Sequence, residues 1–282
     1  MGGVSGGGTG GQGGAEAGEA GAPEAGAPAT GDGGAGGDSG DGSGFIANGP
    51  YAIAYTSLPG TDSNQRASVT ATFANTGELT GYVYSAGAED PTIGTNVASE
   101  VYMDSSSALG RWSGGTAGGH YFSSQLTWTA NQGLHYAIGV PTPPALLPTS
   151  GTTSYSLLAA THPTVYPNTL APGTVTGGSA KVAWGVSYST ISLTLSVTTT
   201  AGDYSIATTG TNDASTSVVE PDSWGGTAPA TGTGPACAGS NCQGRFQGFI
   251  AGSAGKRVGC EFIITSSGTA YTVRGALLFG KP

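Results

Sequence analysis

Charge is what this sequence has least of. Acidic and basic side chains make up 9% of its 282 residues, eight Lys and Arg against seventeen Asp and Glu. Eight scattered cations cannot neutralise a track of phosphates, which argues against a nucleic-acid partner. No run of about 20 apolar residues occurs, so the sequence contains no segment that reads as a membrane-spanning helix. Helix formers are scarce and no apolar pattern of period 3.6 emerges, which excludes a helical bundle. With three His and three Cys, a zinc site has too few ligands close together. No Gly-x-Ser-x-Gly elbow sits between a strand and a helix, so a serine hydrolase of that type is not indicated.

Glycine is what it has in quantity, 53 residues in all. From Met1 to Gly44 the chain is nearly all Gly and Ala, without an aromatic, and Val4 is its one larger aliphatic side chain after Met1. Such a segment buries too little apolar surface to offset its ordering entropy. It reads as a disordered tether reaching about 35–40 Å root-mean-square. Its six acids (Glu16, Glu19, Glu24, Asp32, Asp38, Asp41) meet no base, so most of the formal charge of −9 lies there. Residues 45–282 then form one domain. Val, Ile, Thr and Tyr supply its strand formers, and the class is all-β.

Strand candidates recur at short intervals. Tyr51–Ser57, Arg66–Ala74, Leu79–Tyr84, Ala98–Met103, His120–Thr129 and Leu134–Val140 come first. Gly110-Arg-Trp-Ser-Gly-Gly115 reads as a glycine-rich turn. Pro141–Ser150 carries four prolines and cannot be a central strand, so it is an ordered corner or an exposed loop. Thr152–Ala160, Ser179–Trp184, Ile191–Thr198 and Tyr204–Thr208 follow, and residues 210–243 read as a long polar loop. In Ile191–Thr198 the apolar Ile191, Leu193, Leu195 and Val197 alternate with Ser192, Thr194 and Ser196. Arg245–Ile250, Val258–Ile264 and Ala270–Phe279 close the chain. The pattern predicts an antiparallel barrel of about eight strands with extra strands before it.

Cys237 and Cys242 flank Ala-Gly-Ser-Asn. The spacing suits a disulfide pinching a loop tip, which would imply an oxidising compartment; two unpaired thiols are the alternative. Cys260, on an apolar strand, reads as a small core residue.

Candidate contact residues are few. Trp112 follows Arg111 in the glycine-rich turn, and Trp224 lies in the long loop; rigid aromatics make good anchors, with core packing as the competing reading. His135 stands beside Tyr136 and is a candidate ligand for a metal or haem with a tyrosine; a hydrogen-bonded interior histidine is the commoner use. His120 and His162 are weighed in the same way. Glu220-Pro-Asp222 and Glu89-Asp90 read as solvated turns, because a glycosidase needs two carboxyls facing across about 5–10 Å. No metal or cofactor is called for, and no catalytic residue is assigned.

Several strings carry a resemblance. Gly110-Arg-Trp-Ser-Gly-Gly115, Gly133-Leu-His-Tyr136 running into Gly139-Val-Pro-Thr-Pro143, Pro148-Thr-Ser-Gly-Thr152 and Ala160-Thr-His-Pro-Thr164 resemble a β-domain at the C-terminus of bacterial FecR-type envelope proteins. The tail, Gly248-Phe-Ile-Ala-Gly252 through Arg257-Val-Gly259 to Gly275-Ala-Leu-Leu-Phe279, is similar to the same domain. It also resembles the closing hairpin of the eight-stranded barrels of transferrin-binding-protein-B-like surface lipoproteins. Cys260-Glu261 departs from the small or apolar pair usual there. The resemblance spans residues 45–282 and implies a non-catalytic envelope module that binds a solute or protein partner through end loops. Residues Pro141–Ser150 and Ala214–Gln243 are the contact zones expected on this reading. No family site residue maps onto the chain by motif. No sigma-regulating segment precedes the barrel, so a signalling role is not carried over.

The N-terminus, Met1-Gly-Gly-Val-Ser followed by the tether, looks like a mature bacterial lipoprotein whose lipid-bearing cysteine has been replaced by a start methionine. An intact cytosolic start, or a linker left by removal of an upstream domain, is the alternative. A monomer exported to the bacterial envelope is expected. A structural or adhesive surface domain and a carbohydrate-active β-sandwich enzyme are the rival functions.

Overall fold

The computed structural model describes residues 49–58, 63–84, 92–93, 97–118, 126–167, 170–186, 189–208, 217–218 and 221–282. The tether, His120, Glu89-Asp90 and Glu220 lie outside them. The described residues form two antiparallel sheets.

The first sheet holds β1 (Tyr51–Leu58), β2 (Ser63–Phe73), β3 (Leu79–Tyr84), β4 (Thr92–Ile93), β5 (Val97–Met103), β6 (Ser107–Ser113), β7 (Thr116–Gly118), β8 (Leu126–Thr127) and β9 (Gly133–Gly139). Their order is β5-β6-β9-β1-β2-β3-β4-β7-β8, a half-barrel. One face buries Tyr51, Ile53, Tyr55, Val69, Trp112, Leu134, Tyr136 and Ile138. At the start of β3 the backbone of Leu79 is matched on both sides. Its N–H donates to Tyr136 Oη at 3.2 Å, and its carbonyl accepts from Trp112 Nε1 at 2.9 Å. Gly110 makes room for this arrangement, since a Cβ there would stand 2.4 Å from Tyr136 Oη.

The second sheet holds β10 (Thr152–Ala160), β11 (Thr164–Tyr166), β12 (Thr174–Ala183), β13 (Ser189–Thr199), β14 (Gly202–Ala207), β15 (Ser217–Val218), β16 (Trp224–Gly232), β17 (Ser240–Ala251), β18 (Arg257–Ser267) and β19 (Thr272–Gly280). Eight of them run β10-β12-β13-β14-β16-β17-β18-β19 in order, and β19 pairs back onto β10, so the sheet closes into a barrel. This is the eight-stranded antiparallel barrel with preceding strands expected from the sequence. The barrel is filled by Tyr155, Trp184, Leu193, Leu195, Trp224, Phe246, Phe262 and Phe279 among others, and is a packed core. Cys260 faces this interior, where burial pushes its thiol well above the usual range and the Glu261 carboxylate adds to the effect.

Two sequence readings are corrected. Arg111 and Trp112 lie on β6, every residue of which is buried. The strand escapes notice because its two faces are both covered, which erases the polar–apolar alternation. The long loop of 210–243 gives way at Trp224, where β16 begins. Its inward side chains past Trp224 include Ala228 and Ala230, too small to signal a core strand. Pro229 is tolerated there because the pairing with β14 covers Ala230, Thr231 and Gly232 and stops before it.

Candidate functional site

The half-barrel packs its other face on the outer wall of the barrel. Small apolar residues make the middle of this seam: Ala52, Ala54, Leu109 and Ala137 of the half-barrel against Phe249, Ala251, Ala276 and Leu278 of the barrel. Gly139 belongs there too, since a Cβ on it would stand 2.7 Å from the Phe249 ring and 3.0 Å from Ala251 Cβ.

Towards one end the seam turns polar, and two of the sequence-derived candidates meet in it. Arg111 and His135 are direct cross-strand partners on β6 and β9, with Thr56 of β1 next in the row. Both ring nitrogens of His135 are occupied: Nδ1 lies 2.8 Å from Thr161 Oγ1 and Nε2 2.9 Å from Thr164 Oγ1. The ring is fully buried, and burial pushes its pKa well below the ordinary value, with Arg111, Arg274 and His162 adding to the shift. Arg274 of β19 reaches across the seam, donating from Nη1 to Ser57 O at 2.9 Å and Thr56 Oγ1 at 3.3 Å. Glu261, beside Cys260 on β18, is also fully buried, in register with Ala276 of the seam.

Glu100 joins the two sheets and was not anticipated. Its Oε1 accepts from Arg111 Nε at 3.0 Å and Nη2 at 2.8 Å, and lies 3.0 Å from His162 Nδ1. Its Oε2 accepts the His162 backbone N–H at 2.6 Å. Two interruptions make this possible. The β5–β6 register shifts between Ser99 and Tyr102, and Glu100 sits in the bulge with φ +63°. On the barrel side β10 and β11 both pair β19 but are broken at His162-Pro163, which frees the His162 N–H from the ladder.

At the other end Asp104 ties the seam again. Its Oδ2 accepts from Arg257 Nε at 2.6 Å while Oδ1 caps the amides of Ser106 and Ser107. Burial alone would raise this carboxyl, but the Arg257 and Ser106 hydrogen bonds outweigh it and hold the pKa below the usual range.

Trp112 and Trp224 are not brought into this network. Adjacent to Arg111 on a strand, Trp112 points to the opposite face and packs in the half-barrel core, with no exposure. Trp224 lies inside the barrel. All four candidate residues, Arg111, Trp112, His135 and Trp224, are therefore interior.

A second feature lies on the barrel's exposed wall. A groove of about 570 Å³ crosses β12, β13, β14 and β16, lined by Thr176, Ser196, Thr198, Asp203, Thr231 and Thr233 among others. The Val175/Gly177 register shift interrupts the pairing of β12 with β13 beside Thr176. Close by, β16 runs into a turn that holds the Cys237–Cys242 disulfide, with a Cα–Cα distance of 4.9 Å. Tyr204 sits beneath. Its buried ring packs under Gly234, where a Cβ would collide with the phenol, and burial raises its pKa. The outward Ser and Thr of Ile191–Thr198 were legible in the sequence, whereas their convergence with Asp203 and Thr231 depends on register. Reducing the disulfide is expected to cost about 2 kcal/mol by loop entropy. Urea unfolding of the oxidised protein against a Cys237→Ser/Cys242→Ser variant measures it.

The remaining expected contact zone, Pro141–Ser150, is an ordered corner joining the two sheets. Thr142 donates its N–H to Ile250 O at 3.0 Å and its Oγ1 to Gly252 O at 2.6 Å.

No family model and no curated protein matches the sequence. Among solved structures the chain is similar to isotype 1 Transferrin binding protein B of serogroup B Neisseria meningitidis: 12% identity, 82% of this chain and 43% of that one, TM-score 0.47. A point mutant of Transferrin Binding Protein B from Haemophilus parasuis Hp5 matches at 12% identity over 82% of this chain and 44% of that one, TM-score 0.42. This chain thus spans less than half the length of those neighbours.

Proposed function

We propose that this chain is a non-catalytic binding module of the bacterial cell envelope, carried on the residue 1–44 tether, that docks a solute or protein partner on the barrel wall and end beside the Cys237–Cys242 turn. The groove next to that turn carries the reading. The barrel interior is filled, so a partner meets the protein from outside, and the groove is built on paired strands with the buried Tyr204 ring in its lining. Such pre-organisation reduces the ordering cost of binding. Its hydroxyl lining and the single carboxylate of Asp203 suit hydrogen-bonded recognition of a neutral or weakly cationic surface. Glycoside hydrolysis asks for two facing carboxyls, which favours a binder over the enzyme reading. The disulfide fits an oxidising compartment and hence export.

A thermal-shift screen against haem, iron complexes and glycans tests this. A ligand at 100 times its dissociation constant adds about 2.7 kcal/mol of stability. The stabilisation should vanish in Ser196→Arg, which fills the groove from an exposed position and leaves the unliganded melting temperature unchanged. Stabilisation that survives Ser196→Arg, or none from any compound, overturns the proposal in favour of a structural or adhesive role.

A further inference from the structure

We propose that the polar end of the seam is an acid-operated latch: it clamps the half-barrel on the barrel at neutral pH and lets go when His135 takes up a proton.

The geometry makes the proton hard to accommodate while the seam is closed. His135 is fully buried, and the charges around it come from every element packed there. Arg111 on β6 is its cross-strand partner, and Arg274 on β19 lies across the seam, reaching the Thr56 beside it. His162, in the break between β10 and β11, faces the same cluster through Glu100. Against these stand Glu100 of β5, already engaged by Arg111 and His162, and Glu261, buried further along the barrel wall. A cationic His135 would thus be a third positive group beside Arg111 and Arg274, in a cluster whose nearest carboxylate is in use. Opening the seam hydrates the ring and separates it from Arg274.

The sign follows from linkage. The closed seam holds His135 below its ordinary value of 6.5, so the open form binds a proton that the closed form lacks. Closure is therefore complete above about pH 6.5, and weakens about tenfold for each pH unit below it. His162 contacts Glu100 whereas His135 is held by Thr161 and Thr164, so the two histidines are separable by mutation. The far end of the seam does not follow. Asp104 is held below the usual carboxylate range by Arg257 and the Ser106 amide, and remains ionised at pH 5. With the apolar middle it forms the hinge about which the polar end parts.

The amide of His162 reports the latch directly, because its acceptor is Glu100 on the other side of the seam. Hydrogen exchange of the full chain is followed by NMR from pH 7.5 to 5.0, as protection factors corrected for intrinsic rates. Protection at His162 should fall about tenfold per pH unit below about 6.5, while Phe262 and Leu195 in the barrel ladders keep theirs. In His135→Gln, which retains hydrogen-bonding groups towards Thr161 and Thr164 but does not titrate, the profile should be flat. In His162→Gln the slope at residue 162 should persist. A ring-carbon titration of wild-type His135 gives a check that needs no variant: its proton uptake must coincide with the loss of protection. A flat wild-type profile, a slope that survives His135→Gln, or proton uptake by His135 with the seam amide still protected overturns the latch.

Discussion

Replacing Trp112 by Ala should destabilise the protein by about 3–5 kcal/mol, the range for removing a fully buried aromatic. The side chain has no exposure, packs against Tyr136 with ring centroids 5.7 Å apart, and satisfies the Leu79 carbonyl. Truncation opens a cavity in the half-barrel core and orphans that carbonyl together. Trp112→Phe isolates the second effect: most of the volume stays, and the loss should be nearer 1–3 kcal/mol, the cost of an unmatched buried acceptor plus a small void. Urea unfolding monitored by far-UV circular dichroism gives both numbers. An exposed binding anchor would behave otherwise, with stability unchanged and affinity lost. Equal stability of Trp112→Ala and wild type would therefore return Trp112 to the list of contact residues.

Glu100→Ala should cost about 3 kcal/mol, the low end for breaking a buried ion pair by removing one partner. The low end applies because the Glu100 side chain keeps 12% exposure and Arg111 7%, so water relieves part of the stranded charge. The loss should change little between 0.1 and 1 M salt, because a covered pair is screened poorly. Backbone conformation supplies an internal control. At φ +63° any residue with a Cβ pays about 1 kcal/mol that glycine does not. Glu100→Gly should accordingly be about 1 kcal/mol more stable than Glu100→Ala although it removes more atoms. If Ala is the milder substitution, the left-handed bulge is not what aims the carboxylate.

How much of this the sequence disclosed depends on where each strand's faces point. Thr152–Ala160 and Leu79–Tyr84 were read with the bounds they have, and Ile191–Thr198 differs from β13 only at its ends. Thr152–Ala160 and Ile191–Thr198 have one face towards solvent, so period-two alternation survives, whereas in β3 the buried Leu79 and Tyr82 stand three apart beside a register shift. The closing strands were legible for another reason: an apolar tail at Ala270–Phe279 has to be covered by neighbours. β6 and β16 were missed on opposite grounds, one because both faces are buried and the other because small residues serve as its core side chains. The seam lay beyond local reading altogether. Val-Ala-Ser-Glu-Val-Tyr-Met gives no hint of a bulge at Glu100, and its contact with His162 joins residues 62 positions apart. Arg111 and His135 were read as candidate contact residues, and the structure buries both at the junction. Their role at the junction became apparent only once β6 and β9 were known to be neighbours.

The order of strands also fixes when each half of the molecule can take shape. The half-barrel draws its strands from residues 51–139, so synthesis has delivered everything it needs by then. The cylinder waits for Thr272–Gly280, because β10 finds its closing neighbour only there, and distant pairings of this kind assemble slowly. Until that ribbon arrives, the Phe and Leu residues meant for its lumen stand open to solvent. A chain stalled or clipped shortly before Thr272 would thus combine a finished first half with a sticky, gaping second one, a natural substrate for chaperones and proteases.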